Sequence, residues 1–225
     1  MMYIRILGPI EYHYVLIMMK KTLRMRIRGS IGDHIYFLEH EPVITLGKDG
    51  SLSNILASYI NIPIFYVKRG GDVTLHSPGQ LIVYPVIKLD ERGLSIPDYI
   101  RILEEAVIEV LGEYGLEGYW KKGTAGVWVK EKKIASIGVA VDHWTTYHGL
   151  AFNISNDLKL FQYIRPCGMD PMEITSLEKE LGYTVDFEEV FRKMVRSLSR
   201  GLQTDYRLEY MYRKEVIDFL YEETC

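Results

Sequence analysis

Cys167 stands between Pro166 and Gly168, a turn-like setting in which a sulfur can be approached. An inert core cysteine normally lies inside an apolar strand or helix. A thiol titrates at about 8.5, so a nucleophilic role at neutral pH requires a base or a cation beside it. Lys133 offers that partner. It opens the otherwise apolar run Ile134-Ala135-Ser136-Ile137-Gly138, and a lysine pressed against hydrophobic surface can lose enough solvation to work as a base. Most lysines at strand starts simply point into water and many cysteines are structural, so neither residue decides the matter alone. Cys225, terminal and beside glutamates, is given no role.

Two further clusters could hold a ligand. The run Arg69-Gly70-Gly71-Asp72-Val73-Thr74-Leu75-His76-Ser77-Pro78-Gly79-Gln80 sets glycines, a proline and several polar heads between two strand-like stretches. Glycines let a ligand approach the backbone and leave amide N–H groups free to meet an anion or a carbonyl oxygen. A tight hairpin with incidental polar residues is the bland alternative. The spacing matches neither a Walker loop nor a dinucleotide fingerprint. Around residues 146–153, His148 and Gly149 stand at the head of Leu150-Ala151-Phe152-Asn153. His148 and His76 could orient a ligand or could be hydrogen-bonded structural histidines. The six histidines show no metal spacing with cysteine or carboxylate, so no metal is expected.

The elements that must position these residues read as mixed. Residues 3–7 form a strand closed by Gly8-Pro9, followed by a helix over about 10–28 with Tyr12, Leu16, Met19, Leu23 and Ile27 on one face. Its end carries Lys20, Lys21, Arg24, Arg26 and Arg28, either a solvated face or a docking patch for an acidic protein. Strands are expected at 35–38, 43–46, 64–68 and 80–89, the last at an edge or bulged because of Pro85. Ser95 caps a helix with Pro97 in its first turn, a stripe from Ile96 to Tyr114 and a stop at Gly115. Strands follow at 124–129, 133–141 and 147–154. Thr175 with Glu178 and Asp186 with Glu189 have capping-box spacing, opening helices to about Leu181 and Leu202, and a last helix is expected over 209–222. Strands and helices do not alternate strictly. The expectation is therefore an α+β fold, a mixed or antiparallel sheet flanked by helices, in a single domain over 1–225 with a possible helical appendage after about residue 201.

Composition narrows the function classes. With 48% hydrophobic and 25% charged residues in 225, the chain is expected to fold as a globular protein, not a disordered tail, a collagen-like fibre or a coiled coil. Lys plus Arg number 27 against 30 Asp plus Glu, which leaves no bulk positive field for nucleic acid. Two cysteines are too few for a disulfide-stapled secreted domain, and no apolar run approaches the ~20 residues of a membrane span. A cytoplasmic protein with no membrane partner is expected.

Taken in order, the segments 69–80, 133–138, 148–153 and 166–168, supported by His40-Glu41-Pro42-Val43-Ile44-Thr45-Leu46-Gly47, resemble the octanoyltransferase family of lipoate biosynthesis. Leu75, Ser77 and Ile44 depart from that family's usual aromatic, glycine and aromatic. The resemblance implies a fold akin to biotin and lipoate protein ligases. It implies transfer of octanoyl from acyl carrier protein to a lysine of a lipoyl domain, either of a 2-oxoacid dehydrogenase complex or of the glycine cleavage H protein. It assigns Cys167 as acyl-thioester nucleophile and Lys133 as the base that tunes it. The backbone of Arg69, Gly70, Gly71, Asp72, Val73, Thr74, Leu75 and His76, with Ser136, Ile137, Gly138, Gly149, Leu150 and Ala151, would line the acyl pocket. Thioester exchange followed by aminolysis needs neither ATP nor a cofactor. Two rival readings are an ATP-dependent lipoate or octanoate ligase of the same superfamily and a noncatalytic acyl-binding or lipoyl-domain-binding module.

Overall fold

A computed structural model describes residues 1–56, 61–166 and 170–221. In chain order the strands and helices are β1 (Met2–Ile10), α1 (Tyr12–Ile27), β2 (His34–His40), β3 (Val43–Leu46), β4 (Ile64–Tyr66), β5 (Val73–His76), β6 (Gln80–Val86) and α2 (Ile96–Glu113). They continue with β7 (Gly118–Lys121), β8 (Thr124–Val129), β9 (Lys132–Asp142), β10 (Thr145–Asn153), α3 (Leu177–Leu181), α4 (Phe187–Gly201), β11 (Arg207–Met211) and α5 (Arg213–Tyr221). Eight strands form a mixed sheet in the order β11-β1-β2-β6-β10-β9-β8-β7, and β4-β3-β5 form a small second sheet. The β11, β1 and β2 strands run parallel, and every other neighbour in the large sheet is antiparallel.

Period-two alternation explains why helices cover both faces. Along β6, Leu81 and Val83 join the core beneath α2 and α4, whereas Ile82, Tyr84 and Val86 join the core beneath α1 and α5. The side chains on both faces of this strand are buried, as a central strand between two helical layers requires. Helix α2 forms where expected, because Ser95 and Asp98 close a reciprocal capping box, worth about 1 kcal/mol, and Tyr99, Leu103, Val107 and Val110 bury one stripe. Each such aliphatic side chain contributes about 1.5–3 kcal/mol on burial. A third cluster, built on Ile44, Leu46, Val73 and Leu75, packs the small sheet against Phe161, Ile164 and Ile174. Among the described residues no helix is long and apolar enough to cross a membrane.

Several local expectations are corrected. Residues 73–76 and 118–121 are strands, and 207–211 is a strand in place of the start of a last helix. This strand pairs with β1, more than 190 residues earlier in the chain, a contact that no local pattern records. Ser176 caps α3 in place of Thr175, whose hydroxyl donates to Glu180 Oε1 at 2.7 Å. Pro85 sits in a central strand, opposite Ile35 of β2. The β6–β10 ladder pairs Leu150–Asn153 with Gln80–Val83 and does not call on Pro85 for an N–H.

Candidate active site

A cavity of about 440 Å³, a size typical of small-molecule sites, opens between the large and small sheets. Its lining includes Arg69, Gly70, Gly71, Asp72, Val73, Thr74 and His76 from one side. Lys133, Ser136, Ile137, Gly138, Gly149, Leu150 and Ala151 line the other. Three of the sequence clusters are thus brought to one place, with one exception. Leu75 is fully buried beside Ile44 in the core of the small sheet and is not part of the wall.

Arg69 is a brace. Its guanidinium donates to Thr45 Oγ1 at 2.8 and 3.2 Å, to the Thr45 carbonyl at 2.7 Å and to the Gly70 carbonyl at 3.0 Å. The Gly70 amide donates to the Val139 carbonyl at 2.8 Å, which docks the loop on β9. This approach needs Gly138, where a Cβ would come within 3.0 Å of the Gly70 oxygen, and Gly47, where one would come within 2.1 Å of the Gly71 oxygen. Asp72 accepts hydrogen bonds from the Ser51 amide and the Asn54 side chain, so its carboxylate ties the loop to the segment before residue 57.

The histidines form the inner wall. His148 has φ 59, a left-handed conformation uncommon for a residue with a Cβ, and its amide meets the Met19 sulfur at 3.1 Å. Gly149 follows because a Cβ there would lie 2.1 Å from the Val83 oxygen. His76 Nδ1 donates to Gln80 Oε1 at 2.7 Å, Gln80 Nε2 donates to Asn153 Oδ1 at 2.7 Å, and Asn153 Nδ2 donates to the Thr175 carbonyl at 2.9 Å. Burial pushes the titration of His76 and His148 down to about 3 and that of His40 to about 4. All three rings are therefore neutral at neutral pH.

Lys133 is 6% exposed, with Nζ 5.1 Å from the Trp128 ring centroid. Its place depends on an irregularity between β8 and β9, whose register shifts between Val127 and Trp128 so that Trp128 lies opposite Lys133. Gly126 makes the room: at φ +145, a Cβ on it would lie 2.5 Å from the Ala135 oxygen and 2.7 Å from Lys133 Cε. The Lys133 carbonyl accepts from the Thr175 amide at 3.0 Å. Cys167 lies outside the described residues, but Pro166, to which it is bonded, lines the cavity.

Tyr12, Tyr84 and Trp128 also line the wall and were not singled out as site residues. Tyr84 and Trp128 sit in alternating strands, where the pattern marks burial without saying which buried faces are hollow. Part of the basic stripe on α1 proves structural. Lys21 donates to the Phe219 carbonyl at 2.6 Å, and Arg26 is buried against Asp33 at 2.7 Å and pairs with Glu91, while Lys20, Arg24 and Arg28 remain exposed.

The arrangement offers a buried amine, a glycine-lined approach to backbone amides and an apolar wall. It suits chemistry at the carbonyl of a fatty acyl group. Residues 11–199 match the lipoyl protein ligase A/B catalytic domain. An octanoyltransferase of Solibacter usitatus is 42% identical over 88% of this chain and 91% of its own. The chain belongs to the octanoyltransferase family. A second such relative, from Caldicellulosiruptor saccharolyticus, is 39% identical over 89% of this chain and 88% of its own. Among solved structures, a bipartite lipoate protein ligase from Thermoplasma acidophilum superposes with a TM-score of 0.74 at 17% identity, covering 99% of this chain and 92% of that one. A biotin protein ligase from Aquifex aeolicus gives 0.55 at 12% identity, over 89% of this chain and 70% of that one. The α+β fold expected from sequence, a mixed sheet flanked by helices, is the fold of these ligases. An octanoyltransferase is an acyltransferase, so this cavity is its candidate acyl site.

Proposed function

We propose that this octanoyltransferase, acting as one catalytic domain in the cytoplasm, takes its acyl group from octanoyl acyl carrier protein onto Cys167 and passes it to a lysine of a lipoyl domain. The acceptor belongs to a 2-oxoacid dehydrogenase complex or is the glycine cleavage H protein. The observation that carries the reading is that Lys133 and Pro166, the neighbour of Cys167, line one cavity with the glycine-rich loop.

In the first half-reaction the Cys167 sulfur attacks the thioester carbonyl carbon. Lys133, as neutral amine, takes the thiol proton. The carbon–sulfur bond to the carrier breaks, and that proton passes to the departing thiolate. In the second, the acceptor amine attacks the Cys167 thioester, Lys133 receives its proton, and the returning Cys167 thiolate is reprotonated. One thioester replaces another at little cost, and formation of the amide is downhill. In this reading main-chain amides from the cavity lining meet the tetrahedral oxyanion, for which each donor is worth about 3–4 kcal/mol in other enzymes. Ile137 and Leu150 supply apolar wall for the chain.

Mass spectrometry after mixing with octanoyl acyl carrier protein tests this reading. One octanoyl mass gain on Cys167, absent in Cys167→Ala, is expected. Octanoylation of a lipoyl domain from free octanoate and ATP, with no carrier-bound donor, would overturn it in favour of the ligase.

A further inference from the structure

A carboxylate is buried near Lys133. Glu104, on α2, is 3% exposed, and its Oε1 accepts from the Gly126 amide at 3.1 Å. Gly126 is the residue whose missing side chain clears the path of the Lys133 Cε. A carboxylate from the helical layer therefore fastens β8 at the glycine that makes room for the lysine. The second oxygen of Glu104 meets Arg101 Nη1 at 2.8 Å, and the Arg101 guanidinium stacks over Trp120. A fully apolar contact would have closed the same gap at lower desolvation cost, since α2 otherwise buries Tyr99, Leu103, Ala106, Val107, Val110 and Leu111.

We propose that Glu104 is a positioning residue for Lys133, holding Gly126 of β8 in place beside the lysine and setting, through its charge, the pH range over which Lys133 can serve Cys167. The inference rests on the proposed base role of Lys133. Burial pushes the Glu104 carboxyl upward, while the Gly126 amide, Arg101 and Lys133 itself pull it back, which ties the carboxylate and the amine together. Among the described residues, the charged groups near Lys133 include Glu104 from α2, with Arg101 and Glu105 beside it, and Lys121 from β7, whose Nζ lies 5.5 Å from the same Trp128 ring. A negative charge held near an amine favours its protonated form, so removing it moves the Lys133 titration, and through the proposed pairing that of the thiol it serves, to lower pH.

The substitution Glu104→Gln keeps an oxygen for the Gly126 amide and removes only the charge. In a Cys225→Ser background, two rates are followed across pH: alkylation of Cys167 by iodoacetamide, which needs no substrate, and octanoylation of Cys167 by acyl carrier protein. Glu104→Gln is expected to shift both profiles to lower pH by at least about half a unit, with melting temperature little changed. Arg101→Gln, which leaves the carboxylate unopposed, is expected to shift them the other way. Glu104→Ala, lacking charge and acceptor, is expected to lose tenfold or more in octanoylation. Unchanged profiles in both charge variants would overturn the proposal. A shifted alkylation profile in an enzyme that carrier protein never acylates would uphold the coupling and refute the transfer reading instead.

Discussion

Two buried basic residues face the same cavity and are built in opposite ways. Arg69 is pinned through its own guanidinium to Thr45 and Gly70, so its charge is spent on holding a loop. Lys133 is positioned mainly through what surrounds it: a glycine that gives it room, an aromatic face beneath it and a backbone carbonyl bonded to Thr175. Arginine is always charged and forks rigidly, which suits a brace, whereas lysine can surrender a proton, which suits a base. Under the proposed function, chemistry and scaffolding are divided between these two basic residues.

Exchanging the roles separates them most sharply. Lys133→Arg keeps the charge and removes the proton acceptor, so single-turnover acylation of Cys167 should fall by about 100-fold or more while the melting temperature moves little. A variant within a few-fold of normal would mean that Lys133 is not the base. Acid tests the neutral histidines that lie among the two cations. Unfolded histidine titrates at about 6.5 and these rings at about 3 to 4 when folded, so the unfolded chain takes up protons first. The stabilisation is intact above about pH 6.5 and is lost as the pH falls, by about 2 kcal/mol per ring at pH 5. Chemical denaturation at pH 7 and pH 5 measures it, and equal midpoints would contradict neutral burial. The smallest effect on rate is expected from Arg69→Lys, which loses the fork but keeps the charge. It should destabilise the chain by about 2 kcal/mol while acyl transfer stays within several-fold, and a rate loss rivalling that of Lys133→Arg would erase the distinction.

Much of this was legible before the fold was known, and the reasons differ by residue. Helix α2 announces itself because its cap, proline and stripe lie within one short stretch. Arg69 and Lys133 are legible through motifs, whose spacing is imposed by the site. Gly126 is not, since its necessity arises from a register shift against another strand. Neither is Glu104, which reads as a polar interruption of a helical stripe until the strand beneath it is seen. Strand β11 overlaps the start of the helix expected over 209–222, and the parallel partner that makes it a strand lies near the other end of the chain, where no local pattern records it. Leu75 was assigned to the cavity because its neighbours belong there, but alternation along β5 turns it into the small sheet's core.

The relay that ends on the Thr175 carbonyl has a further consequence for His76. A main-chain carbonyl accepts only, so it orients the Asn153 amide, which orients the Gln80 amide, which claims the imidazole's one proton at Nδ1. The other ring nitrogen then presents a lone pair and cannot soothe a newly formed alkoxide. In the proposed reaction that task would pass to main-chain N–H groups of the cavity lining.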